Sequence, residues 1–126
     1  MSPRGFGAAR RQAYRRGHAA EFAALLLLAA KGYRALARRY RTPLGEIDLV
    51  LKRGDTIVFA EVKARPTLRD GMDSVTPAAE RRIAGAAGIW LARHPRAAAL
   101  TLRFDLVIVR PWRLPHHVPD AFRPGW

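Results

Sequence analysis

Asp48, Glu61 and Lys63 are the residues of this 126-residue chain whose types and spacing could do chemistry. Asp48 lies in the run Gly45-Glu46-Ile47-Asp48-Leu49-Val50, and Glu61-Val62-Lys63 closes the run that begins Thr56-Ile57-Val58-Phe59-Ala60. Between the runs, Lys52-Arg53-Gly54-Asp55 is turn chemistry. A two-residue primed turn at Gly54-Asp55 would put Gly54 in the positive-φ first position. Counting outward then pairs Arg53 with Thr56, Val50 with Phe59 and Asp48 with Glu61. Residues opposed across a hairpin have Cβ atoms roughly 5 Å apart. Lys63, two residues beyond Glu61, shares its face at roughly 7 Å, and Glu46 shares the face of Asp48.

Two carboxylates about 5 Å apart repel by roughly 3 kcal/mol at an effective dielectric near 20. That is enough for one of them to hold its proton, and like charges directly opposite also weaken a sheet. A divalent cation, or Lys63 reaching between them, reverses the sign, and hard oxygen donors suit Mg or Mn. The plainer reading is an ordinary surface pair of Glu61 and Lys63, because Glu-x-Lys alone is a weak signal. The facing Asp48 in matched register weights the reading toward a site. Lysine usage adds to it. Of 23 basic residues only Lys31, Lys52 and Lys63 are lysines, and a compact amine whose pKa shifts on burial stands at position 63.

The formal charge of +13 and a pI near 11.6 call for an acidic partner. Nucleic acid is the first candidate and an anionic membrane surface the second. The acids total only 10, and four of them (Glu21, Glu46, Asp48, Glu61) lie in the candidate segments. Cysteine is absent, which excludes disulfides and thiolate metal sites and fits a reducing, cytoplasmic location. The arginine-rich start followed by Ala19 to Ala30 superficially resembles a secretion signal. Glu21 interrupts the apolar run, and the run is too short to span a bilayer, so no membrane association is expected.

These side chains need elements to position them. Met1 to about Gln12 is expected to be frayed, and a helix is expected from about Tyr14 to Ala30 with Gly32 just past its end. Tyr33 to Arg41 reads as a first strand with a mixed alternation. Thr42-Pro43-Leu44-Gly45 is a turn, and two strands follow, Glu46 to Lys52 and Thr56 to Ala64. Pro66 to Val75 reads as a polar loop. Thr76 as cap and Pro77 as first residue open a second helix whose apolar face is Ile83, Ala86, Ala87, Trp90 and Leu91. Leu100 to Val109 reads as a strand buried on both faces, parallel to the third strand across the helical crossover. Residues 111–126 are expected to form a non-regular tail. The whole is one α/β domain of order αβββαβ, a mixed sheet flanked by helices.

At these residues the chain resembles the YraN-like family of uncharacterised bacterial proteins, predicted to be endonucleases. The shared pattern is Gly17-x-x-x-Glu21, Gly32-Tyr33, Arg41-Thr42-x-x-Gly45-Glu46-Ile47-Asp48-Leu49-Val50, Phe59-x-Glu61-Val62-Lys63-x-Arg65 and Arg103-Phe104-Asp105. The resemblance implies a restriction-endonuclease-like fold with a Mg- or Mn-dependent nuclease site. Carried over residue by residue, it implies catalytic roles for Asp48, Glu61, Lys63 and Glu21. In one respect the chain departs from the family: Ala78-Ala79 stand near the start of the second helix, where a lysine is common. Junction-cutting relatives of this fold often dimerise, so a homodimer is among the expectations.

The leading expectation is a metal-dependent endonuclease acting on DNA, of branched or flapped form. Asp48, Glu61 and the Val62 carbonyl would hold the metal, and Glu46 would stand behind them. Arg38, Arg39, Arg41, Arg65, Arg69, Arg81 and Arg82 would contact phosphates, with Arg4, Arg10, Arg11, Arg15 and Arg16 extending the basic surface. The alternative is an inactive nucleic-acid-binding module of the same fold. A membrane-surface or partner-binding role for the basic first helix ranks third. Scattered histidines, and the lack of a cysteine nucleophile or phosphate-binding glycine motif, argue against other chemistries.

Overall fold

The structure, a computed structural model, describes the backbone of residues 3–125 and the side chains of residues 17–125. Helix α1 (Pro3–Ala30) leads into strands β1 (Arg34–Thr42), β2 (Gly45–Arg53) and β3 (Thr56–Ala64). Two helices follow, α2 (Leu68–Asp73) and α3 (Pro77–Arg93), and then, after a 3-10 turn, strands β4 (Thr101–Val109) and β5 (His116–Phe122). The five strands form one mixed sheet in the order β1-β2-β3-β4-β5, with only β3 and β4 parallel. The expected α/β architecture, one mixed sheet flanked by helices, is the one found.

Alternation along the central strands sorts their side chains between two cores. On one face α1 lays down Ala24 and Leu28 against Leu49, Leu51, Val58, Ala60 and Val107. On the other, Ile83, Ala86, Ala87 and Trp90 of α3 pack on Val50, Ile57, Phe59, Phe104 and Phe122. The apolar stripe read from the sequence is therefore the buried face of α3. Its start is also as read: the Thr76 hydroxyl accepts from the Ala79 N–H, with Pro77 in the first turn.

The β2–β3 turn forms as its residues dictate. Gly54 has φ 58° and Asp55 a negative φ, the pattern of a turn with glycine first. Arg53↔Thr56 and Val50↔Phe59 pair as counted.

Three expectations need correction, and a fourth gains its reason. The first helix begins at Pro3, well before Tyr14. Part of the supposed loop at 66–75 is α2, capped by the Thr67 hydroxyl on the Asp70 N–H. It is six residues long, too short to show a period. The mixed alternation of β1 has a cause: the pairing shifts between Ala35 and Ala37, and Arg39 takes φ 47°. The tail is not irregular, because β5 pairs with β4 from Phe104↔Phe122 to Ile108↔His116. Pro119 is tolerated within β5 because this strand is an edge and one side of it needs no donor.

Candidate functional site

The counted pairing breaks off where the chemistry begins. The β2–β3 ladder ends at Leu49↔Ala60, so Asp48 and Glu61 are not ladder partners. Instead the Asp48 carboxylate reaches across, and its Oδ2 accepts the Val62 N–H at 2.8 Å. A side-chain oxygen thus takes the place of a backbone acceptor. In a strand the N–H and C=O of one residue point to the same side, so the Val62 carbonyl also turns toward β2.

Glu61 and Lys63 share their face with Phe59, and Asp48 lines the same cleft as both, next to Ile47 of the α3-side core. All three stand on the α3 side of the sheet. They line a cleft of about 470 Å³ together with Arg41, Thr42, Gly45 and Glu46, opposite Ala79, Arg82 and Ile83 of α3. Two local devices fix its walls. The Thr42 hydroxyl donates to the Gly45 carbonyl and accepts from the N–H groups of Leu44 and Gly45, which holds the β1–β2 turn. A Cβ at Gly45 would come within 2.1 Å of the Arg82 carbonyl oxygen. Only glycine lets α3 come this close, and the approach brings Arg82 over the cleft.

The electrostatics match the expected repulsion. Burial pushes the Glu61 carboxyl up to about 9, helped by its hydrogen bond with Asp48 and the charges of Asp48 and Glu46, with Lys63 opposing. Glu61 therefore holds a proton at neutral pH while its neighbour accepts from backbone. Among the described residues no three His, Cys, Asp or Glu side chains gather as a ready-made metal cage. The donor set that does exist, two carboxylates and a carbonyl at an open cleft, suits a Mg or Mn ion, which keeps several waters and takes one or two protein carboxylates. The high Glu61 pKa follows from burial beside a second carboxylate.

The remaining predicted residues divide. Glu46 lies at the cleft rim with Arg41 Nε 3.5 Å from its carboxylate. Glu21 does not line the cleft. It belongs to α1, which packs on the other face, and its Oε2 accepts from Arg39 Nε at 2.7 Å. Arg39 also bonds the His18 ring at 2.7 Å. Arg38 is exposed opposite Leu49, on the α1 side. Arg41 and Arg82 are at the cleft, and Arg81 and Arg82 flank an adjoining hollow with Leu44 and Gly85. Arg65 bonds the Ala64 carbonyl at the end of β3, and Arg69 is exposed on α2. Arg4, Arg10, Arg11, Arg15 and Arg16 have side chains outside the described residues.

A second carboxylate centre was missed. Asp105, on β4, is fully buried, at 0% exposure. It accepts from Arg103 Nε (2.8 Å) and Nη2 (2.7 Å), and from the Asp120 N–H (2.9 Å), and it lies 2.7 Å from His117 Nε2. Arg103 continues to the Tyr33 hydroxyl at 2.6 Å. Burial pushes Asp105 up, but the bonds from His117, Arg103 and the Asp120 backbone outweigh it, and its pKa is lowered. The one signal in the sequence was an acid set inside the apolar run Phe104-Asp105-Leu106-Val107.

Comparison with known proteins adds the family. The model of uncharacterised protein family UPF0102 matches residues 20–109. The chain is 54% identical over 115 residues to a UPF0102 protein of Mesorhizobium japonicum, covering 91% of this chain and 92% of the relative. It is 56% identical over 112 residues to one of Methylocella silvestris, covering 89% and 90%. It is 53% identical over 113 residues to a UPF0102 protein of Chelativorans sp., covering 90% and 91% of the two chains.

Proposed function

The chain belongs to the uncharacterised protein family UPF0102, and from that premise we propose that it is a divalent-metal-dependent phosphodiesterase that cleaves DNA. The observation that carries the reading is Asp48 beside a protonated Glu61 in a cleft whose other charged walls are Lys63, Arg41, Arg82 and the rim residue Glu46. A carboxylate pair kept without a neutralising partner weakens the fold, and it gains a purpose if a cation completes it.

Asp48, Glu61 and the Val62 carbonyl would hold that cation. Bound there, it supplies the charge that polarises the scissile phosphate and eases deprotonation of the attacking water. Glu61 gives up its proton on loading. Asp48 stays oriented by the Val62 N–H, so one donor is fixed before loading. Lys63 orients the attacking water and offsets the charge that builds on the phosphoryl oxygens as one P–O bond forms and another breaks. Arg41 and Arg82, on opposite walls, bind the flanking phosphates. Glu46 keeps Arg41 in place. These are backbone contacts, so recognition rests on strand shape rather than on base sequence.

One observation favours a second reading. Ala79 lines the cleft where relatives of the expected pattern often carry a lysine, so the wall has one cation fewer. The second reading is a nucleic-acid-binding module that binds no metal and does not cut. The deciding experiment incubates the protein with linear, flapped and four-way DNA in Mg or Mn, with binding measured in parallel. Metal-dependent cleavage supports the first reading. Binding without cleavage or metal uptake selects the second.

A further inference from the structure

The β4–β5 connection carries a side chain that packing does not explain. Trp112 is 102% exposed, and it stands at φ 60°, a left-handed conformation costly for a large residue. Pro111 and Pro115 stiffen the tip, Leu114 beside it is 80% exposed, and the sequence around Trp112 carries Arg110 and Arg113 with no acid between Arg110 and Val118. Burying an indole is one of the larger gains a fold can make; here it is forgone.

Strand register gives the tip its place. Lys63 pairs with Ile108 and Ala64 with Val109 across the parallel β3–β4 ladder, and the Arg65 N–H donates to the Val109 carbonyl. The tip therefore leaves the sheet at the end where Glu61 and Lys63 stand. Neighbouring strands are about 4.8 Å apart, and four residues reach at most roughly 14 Å, so the Cα atoms of Trp112 and Lys63 are within roughly 19 Å. That is about five nucleotide steps of roughly 3.4 Å.

We propose that Trp112, on its proline-braced tip with Arg110 and Arg113, is a stacking platform for an unpaired base of the nucleic-acid strand that enters the cleft. The inference rests on the nuclease reading above and specifies its substrate class: nucleic acid with a single-stranded end, flap or unpaired nucleotide within about six nucleotides of the cut. A flat apolar ring beside an exposed basic residue, Arg113, is complementary to a base beside a phosphate, and every base offers a π-face, so the platform selects unpaired strands without selecting sequence. A blunt duplex has its bases stacked and gives the ring nothing to hold.

The test measures binding of the wild type, Trp112→Ala and Trp112→Phe to a 3′- or 5′-flapped DNA with 2-aminopurine in the flap, and to the matching blunt duplex. Thermal denaturation is run alongside. Trp112→Ala is expected to weaken flap binding roughly tenfold or more and to abolish the quenching of 2-aminopurine. Duplex affinity and melting temperature stay unchanged, and Trp112→Phe restores most of the loss. Equal flap binding by wild type and Trp112→Ala overturns the platform while leaving the nuclease reading standing. A wild type that binds neither DNA overturns both. Tryptophan emission that responds to phosphatidylglycerol vesicles and not to flapped DNA, with the response lost in Trp112→Ala, makes the tip a membrane contact, and the proposal fails.

Discussion

Two carboxylate centres in one sheet are built to opposite specifications. Asp105 is sealed in the fold and collects a guanidinium, an imidazole and a backbone N–H, so its charge is matched on every side. Asp48 and Glu61 stand at an open cleft, face each other, and have one backbone N–H and a nearby lysine to share. The first carboxyl is held below its ordinary range and the Glu61 carboxyl is pushed above it. Burial alone therefore does not mark a functional acid; burial without matching partners does. Asp105 ties β4 to β5 and, through Arg103, to Tyr33. Asp48 and Glu61 tie nothing that a neutral side chain would not tie as well.

Substitution should separate the two centres. Asp48→Asn and Glu61→Gln are expected to abolish DNA cleavage while leaving DNA affinity equal or higher, because negative charge is removed. Folding survives, since the amide oxygen that Asp48→Asn introduces still accepts the Val62 N–H. Activity equal to wild type in either variant would end the catalytic assignment. Lys63→Ala should lower turnover by roughly 10²- to 10³-fold with Mn uptake retained, which single-turnover assays and calorimetry read together; unchanged turnover makes Lys63 a surface residue. Asp105→Ala should act on stability instead. Removing one partner from a buried charge network costs about 3–5 kcal/mol, read as a lower denaturation midpoint, with Arg103 and His117 left facing a void. A midpoint within error of wild type would erase the contrast.

The pH dependence sharpens the comparison with effects of opposite sign at the two centres. Glu61 has a folded pKa above its ordinary value of 4.5, so its contribution is fully present below 4.5 and is lost as pH rises through about 9. Wild type should therefore lose stability relative to Glu61→Gln between those limits. The Asp105 pKa is lowered from 3.8, so its contribution is present above 3.8 and lost as pH falls through the lower folded value. Denaturation midpoints of wild type and Glu61→Gln, compared from acid to alkaline pH, check the first; a constant difference would contradict it.

What the residues disclosed in advance follows the range of the interactions. Gly54 set the hairpin register by itself, and Thr76-Pro77 set the start of α3, because both act through neighbouring backbone. The same local logic placed Asp48, Glu61 and Lys63 on one face. It could not foresee that Asp48 would leave the ladder for the Val62 N–H, since that depends on where the β2–β3 ladder ends. That Glu21 is held by Arg39 and does not line the cleft was also illegible: sequence spacing gives a helix its apolar stripe but not the sheet face on which the helix lands. Asp105 and β5 stayed hidden because each needs the other. His117 and the Asp120 N–H come from β5, and Pro115, Pro119 and the adjacent His116 and His117 conceal that strand in the sequence.

The family membership, the sheet and the cleft leave one claim on which the functional account turns: the unmatched pair at Asp48 and Glu61 is completed by a divalent ion. Calorimetric titration of Mn into the wild-type protein at pH 7 to 8, in two buffers of different ionisation heat, tests it directly. The account predicts binding that releases about one proton, from Glu61, tightens as pH rises toward about 9 and disappears in Asp48→Asn. Binding that releases no proton, or that persists unchanged in Asp48→Asn, would contradict it, as would the absence of any heat.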